Sequence, residues 1–175
     1  MARKKQEFLL VDGYNIIFSW KRLQKAAEKS LDVARVKLSD TLCNYSGYTG
    51  ENIILVFDAH KVNGGIENIE QYNNITVVYT GERETADHYI ERTTKVLTKN
   101  KSYSVRVATS DFTEQIIIAG SGAMVVSAKN FEEEVVITNQ KIARIAENRP
   151  IKNNLLSDNL DLASRNALEA LRLNK

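Results

Sequence analysis

A chain of 175 residues, 43% of them hydrophobic, can bury one sizeable core but is too short for two full domains. With 24 Lys+Arg against 22 Asp+Glu, the net charge of +2 excludes a global pull toward nucleic acid or anionic membrane, so a polyanionic partner must be met by a local patch. The single cysteine, Cys43, excludes an internal disulfide and a cysteine-built zinc cage, fits a reducing compartment and makes the cytoplasm the expected location.

The basic start of the chain is followed by a short apolar run, residues 8–11, that breaks at Asp12. It reads as a buried strand ending in an Asp12-Gly13 turn, and as too brief for an export signal. From Ser30 the apolar positions Leu31, Ala34, Leu38, Leu42 and Tyr45 recur every three or four residues, with Gly47 and Gly50 beyond, which predicts an amphipathic helix. Cys43, one residue past Leu42, is expected to be a packed side chain rather than a nucleophile. Residues 52–57 form a second apolar strand, closed by Asp58.

The polar, glycine-containing stretch 61–74 predicts a long loop with at most a short strand, followed by a third run at 75–79. Thr85 is a plausible cap for a helix carrying Glu84 and Asp87 at its start and Ala86, Ile90 and Leu97 on one side. Residues 103–108 are strand-like and run into Thr109-Ser110-Asp111 and a short helix through Ile118. A short strand at 124–126 then precedes a helix capped by Ser127 and ended by Pro150, and a last helix is expected from Ser157 to about Leu171. No apolar run approaches the ~18 residues of a membrane span.

The alternation of strands and helices predicts an α/β fold with an open parallel sheet covered on both faces. Ligands of such sheets bind beyond the carboxyl ends of the strands, where Asp12, Asp58 and Asp111 fall. With Glu84 and Asp87, up to five carboxylates converge. Charges about 4 Å apart repel by roughly 4 kcal/mol at an effective dielectric near 20, so the cluster calls for a cation. Oxygen ligands without His or Cys suit Mg2+ or Mn2+, and such an ion activates water for phosphodiester hydrolysis. Any one strand-end aspartate is often only a turn former or cap; three together favour a site.

Four motifs extend this reading: Val-Asp-Gly-Tyr-Asn at 11–15, Val-Phe-Asp-Ala-His at 56–60, Glu-Thr-Ala-Asp at 84–87 and Ala-Thr-Ser-Asp-Phe-Thr-Glu-Gln at 108–115. In this order they closely resemble the YacP-like branch of the NYN domain family, related to PIN-domain nucleases. The resemblance, which runs from Phe8 to about Glu147, implies a three-layer α/β/α PIN-like fold for a domain placed at residues 1–150; 151–175, outside the match, are expected from their apolar spacing to be a C-terminal helical extension. It also implies endonucleolytic cleavage of RNA, with mRNA on the ribosome as the candidate substrate, at a divalent-metal centre. By the same resemblance Asp12, Asp87 and Asp111 are metal-binding acids and Asp58 is the acid closing the second strand; all four are expected to hold one or two ions, and Asn15 to help place the phosphate. Glu84 is either a ligand or a cap, and Ser110 either a phosphate donor or a turn residue.

The candidate RNA contacts are Tyr14 and Trp20 for stacking, and Lys21, Arg22, Lys25, His60, Lys61 and Arg83, with Lys29 and Arg92 as further cations. Each basic run also fits an ordinary solvated helix face, and His88, one helical step from Asp87, is expected at the surface. Two rivals remain at this point. A non-catalytic RNA- or ribosome-binding module would share the fold with eroded acids. A receiver-like phosphoacceptor domain would use Asp58, Ser110 and Lys129, but expects paired acids after the first strand, where this chain has Asp12-Gly13-Tyr14-Asn15.

Overall fold

Along the first strand, β1 (Gln6–Asp12), burial rises from exposed Gln6 and Glu7 to Leu9, Leu10 and Val11, which are wholly buried. Consecutive side chains of a strand point to opposite faces. Leu9 and Val11 accordingly join one hydrophobic cluster and Leu10 another, so β1 is covered on both sides. The computed structural model, which describes residues 5–58 and 67–147, shows how the rest of the chain does this.

The remaining strands are β2 (Asn52–Phe57), β3 (Asn68–Tyr72), β4 (Ile75–Tyr79), β5 (Tyr103–Thr109) and β6 (Met124–Ser127). They form a six-stranded sheet in the order β3-β4-β2-β1-β5-β6. All neighbours are parallel except β3, which runs antiparallel to β4 at the edge. The expected α/β fold with a mostly parallel sheet is what the chain adopts.

One face carries α1 (Gly13–Ser19), α2 (Lys21–Ala27), α3 (Leu31–Thr49) and α6 (Ala128–Glu147), whose buried residues Ile16, Leu23, Leu38, Leu42 and Phe131 share the larger cluster. The other carries α4 (Ala86–Thr98) and α5 (Phe112–Gly120), through Tyr89, Ile90 and Ile118. This is the core of the compact unit Met1–Ile142; the second unit, Ala143–Lys175, begins within α6. Pro150 and the expected helix at 157–171 lie outside the described residues.

Helix ends follow the sequence signals closely. Ser30 caps α3 through its hydroxyl, which accepts from the Asp32 amide, and Gly50 ends it at φ 78°, a left-handed conformation that suits glycine. Thr85 caps α4 by accepting from the His88 amide. One expectation needs correction. Asp12-Gly13 is not a free turn: the Asp12 carboxylate accepts from the Asn15 amide and starts α1 at once. Gly13 is needed there because a Cβ would stand 2.2 Å from Phe57 Cε1. The short strand allowed in the stretch before β4 is β3. β3 and β4 form a hairpin in which Tyr72 pairs with Ile75, leaving Asn73-Asn74 as the turn, with Asn73 at φ 51°.

The winding fixes where a site can form. From β1 the chain moves outward to β2 and β4, then returns to β5 on the other side of β1. The helices therefore leave the sheet in opposite senses between β1 and β5, and the crevice opens at the carboxyl ends of those strands.

Candidate metal centre

Asp12 lies in that crevice as the last residue of β1 and is 4% exposed. One carboxylate oxygen accepts the Asn15 backbone N–H at 3.0 Å and the other accepts Asn15 Nδ2–H at 2.8 Å. The Asn15 Oδ1 in turn accepts from the Ser110 hydroxyl, so a short polar chain ties the end of β5 to the end of β1. Asn15 thus orients a carboxylate, and Ser110 orients Asn15.

Asp87 enters from the opposite layer, in the first turn of α4. Its pKa is raised by burial first, then by the charges of Asp12 and Asp111 and by a hydrogen bond with Asp12. The third member is Glu114, in the first turn of α5 and 4% exposed. One oxygen each from Asp12, Asp87 and Glu114 can be chosen so that all lie within 4.8 Å of one another. Burial pushes the Glu114 carboxyl up to about 8, against a pull from Thr109 and with further pushes from Asp12, Asp87 and Asp111. Among the described residues neither Glu114 oxygen has a hydrogen-bond partner within normal geometry.

Two buried carboxylate oxygens without donors, beside two more carboxylates, are costly in a folded protein. A cation bound among them removes both the repulsion and the missing hydrogen bonds. The donor set is oxygen only, which fits a hard divalent ion such as Mg2+ or Mn2+. Asp12 and Asp87 also border a cavity of about 560 Å³, with Asp58 and Ser110 in its wall.

The other sequence expectations divide. Asp111 borders the cluster closely enough to raise its neighbours, but one of its oxygens accepts the Thr113 and Glu114 amides at 2.7 and 3.0 Å, capping α5. Glu84 is a correction: it precedes the Thr85 cap, so it is not on the helix face of Asp87. Both its oxygens are held by Arg92, at 3.0 and 3.1 Å, in a separate hollow with His88 and Lys95. Trp20 is a second correction. It is fully buried, donates Nε1–H to the Ala128 carbonyl at 2.9 Å and packs on Phe131, so it has no face for a base.

Tyr14 borders the cavity but is nearly buried, and its hydroxyl accepts from Arg35 at 2.8 Å. Lys21, Arg22, Lys25 and Arg83 are exposed, with the Arg22 guanidinium over Trp20 and bonded to Thr41. His60 and Lys61 lie outside the described residues. Glu114 was not among the expected ligands, and its spacing from Asp111 also matches a capping box, which gives no signal of a ligand. In the structure the Asp111 amide bonds to Thr109 instead, and Glu114 turns inward.

The sequence matches the family model described as the YacP-like NYN domain over residues 9–173. It is 41% identical over 138 residues to the Bacillus subtilis (strain 168) protein described as "Uncharacterized protein YacP", covering 79% of this chain and 80% of that protein. Crystal structures of Rae1 (YacP) from Bacillus subtilis superpose with TM-scores of 0.71 for a point mutant, at 34% identity, and 0.70 at 36% identity. The first covers 95% of this chain and 99% of the other, and the second 95% of each.

Proposed function

The chain belongs to the YacP-like NYN domain family, and from that premise we propose that it is a metal-dependent endoribonuclease that hydrolyses single-stranded RNA. NYN domains include nucleases, which sets the class. The observation that carries the finer reading is the convergence of Asp12, Asp87 and Glu114 oxygens within 4.8 Å at the crevice between β1 and β5. Asp111 and Asp58 complete the acidic rim as outer members.

When bound, Mg2+ or Mn2+ would neutralise the cluster, acidify a water and offset charge on the leaving oxygen. The chain's own groups supply the geometry. Asp12 is held by both Asn15 donors, so its free lone pairs face the cavity in one orientation. Ser110 keeps the Asn15 amide from flipping. Asp87 and Glu114 approach from helices whose N-termini favour negative charge.

The cellular substrate we propose is mRNA, presented on the ribosome in the cytoplasm. No helix among the described residues is long and apolar enough to cross a membrane. A circular single-stranded RNA tests the chemistry, because it has no end for an exonuclease. We expect Mg2+ or Mn2+ to support its conversion to linear products with defined 5′ ends, and chelator to stop it. A circle that stays intact with both ions would reject the reading.

A further inference from the structure

Within α1, Ile16, Ile17 and the following Trp20 are fully buried, yet Phe18 is 47% exposed. A lone exposed phenylalanine is ordinary. This one stands in the wall of the carboxylate cavity, next to Ser19.

Its orientation is fixed from behind. Tyr14 and Phe18 are four residues apart on one helix face and their rings lie 6.2 Å apart, nearly parallel at 22°. Tyr14 is anchored by Arg35 and meets the edge of Phe57 at 5.2 Å, and Phe57 stacks on Tyr79 at 5.6 Å. Four rings thus run in a row from β4 to Phe18 in the cavity wall. The Phe18 carbonyl also accepts from the Gln24 side chain, which pins the corner between α1 and α2.

The chemistry of the walls says what the ring is for. Among the described residues that line the cavity are Asp12, Asp58 and Asp87, and no lysine or arginine. The acids in that wall repel a polyanion except through a bound ion. An aromatic face is a contact that a nucleic acid strand can use beside those acids, because every base has a π-face and stacking tolerates any sequence. We infer that Phe18 is a stacking platform for an unpaired nucleobase of the strand whose phosphodiester is cut. This rests on the nuclease reading above. It moves to Phe18 the stacking role expected of Tyr14 or Trp20, and it favours single strands, because a paired base reaches the ring only after unstacking at a cost of about a few kcal/mol.

The test compares wild-type protein with Phe18→Leu, which keeps apolar bulk and loses the ring, and with Phe18→Trp, which enlarges it. Each is assayed on a short single-stranded RNA and on the same RNA with abasic riboses flanking the cleaved bond. Phe18→Leu should raise KM about tenfold on the normal RNA, with the loss falling on KM rather than kcat, and Phe18→Trp should restore it. On abasic RNA all three proteins should share one KM. Tyr48→Leu, an exposed aromatic at the end of α3, should match wild type throughout, and circular dichroism confirms folding. A wild-type KM for Phe18→Leu, or an equal loss on abasic RNA, would overturn the stack alone. Wild-type protein that cuts neither RNA rejects the nuclease reading and the stack with it.

Discussion

Asp12→Asn lowers RNA cleavage by about a thousandfold or more in Mg2+ or Mn2+, while leaving the fold intact. The substitution is chosen because Asp12 has two jobs. As N-cap of α1 its oxygen accepts the Asn15 amide at 3.0 Å, and asparagine caps as well as aspartate. As a ligand it brings a full negative charge into a crevice where it is 4% exposed, and a neutral amide cannot do that. Without metal, the lost bond from Asn15 Nδ2 opposes the relief of a repulsive charge, so the variant should melt within about 4 °C of wild type. Titration with Mn2+ should then raise the melting temperature of wild type and leave the variant nearly unmoved. Cleavage by the variant within a few-fold of wild type would remove Asp12 from the centre.

Glu114→Gln has the second large effect, and its sign depends on pH. Burial and the neighbouring acids push the Glu114 carboxyl up from 4.5 to about 8. An acid whose folded pKa is raised binds more protons folded than unfolded, so its contribution is present below about pH 4.5 and is lost as pH rises through 8. Asp87, also raised, acts in the same direction. Metal-free wild type should lose stability steadily from pH 5 to pH 8. Glu114→Gln, an isosteric mimic of the protonated side chain, should lose much less, with the two curves on the order of 3 kcal/mol apart at pH 8. Saturating Mn2+ should reverse the order, because the ion stabilises wild type through the group that the variant lacks. Denaturant unfolding in chelator and in Mn2+ reads this directly. Parallel pH curves would mean that Glu114 is not a buried, raised acid.

Much of this was legible in the sequence because strand ends and helix starts are local events. Apolar runs stopped by Asp12 and Asp58, and the Thr109-Ser110-Asp111 exit from β5, placed three acids at one rim of a parallel sheet. Ser30, Gly50 and Thr85 marked helix ends by side-chain and backbone preferences that need no tertiary context. What stayed hidden depends on which way a side chain turns after the chain folds. Asp111-x-x-Glu114 fits a cap and a ligand equally well until the Asp111 amide is seen to bond to Thr109. Glu84 and Asp87 look like helix neighbours until Thr85 is seen to divide them. Trp20 and Phe18 are two residues apart, and only the packing of Phe131 against Trp20 decides that tryptophan goes inside and phenylalanine faces the cavity. α1 and α2, seven residues each, were too short for a helical repeat to stand out.

The central claim is that three carboxylates from β1, α4 and α5 share one divalent ion. Anomalous scattering from manganese in crystals of the full chain tests it most directly. A peak bounded by oxygens of Asp12, Asp87 and Glu114 is the predicted result. At saturating manganese, an empty crevice, or a peak only in the hollow of Glu84 and Glu91, would contradict it.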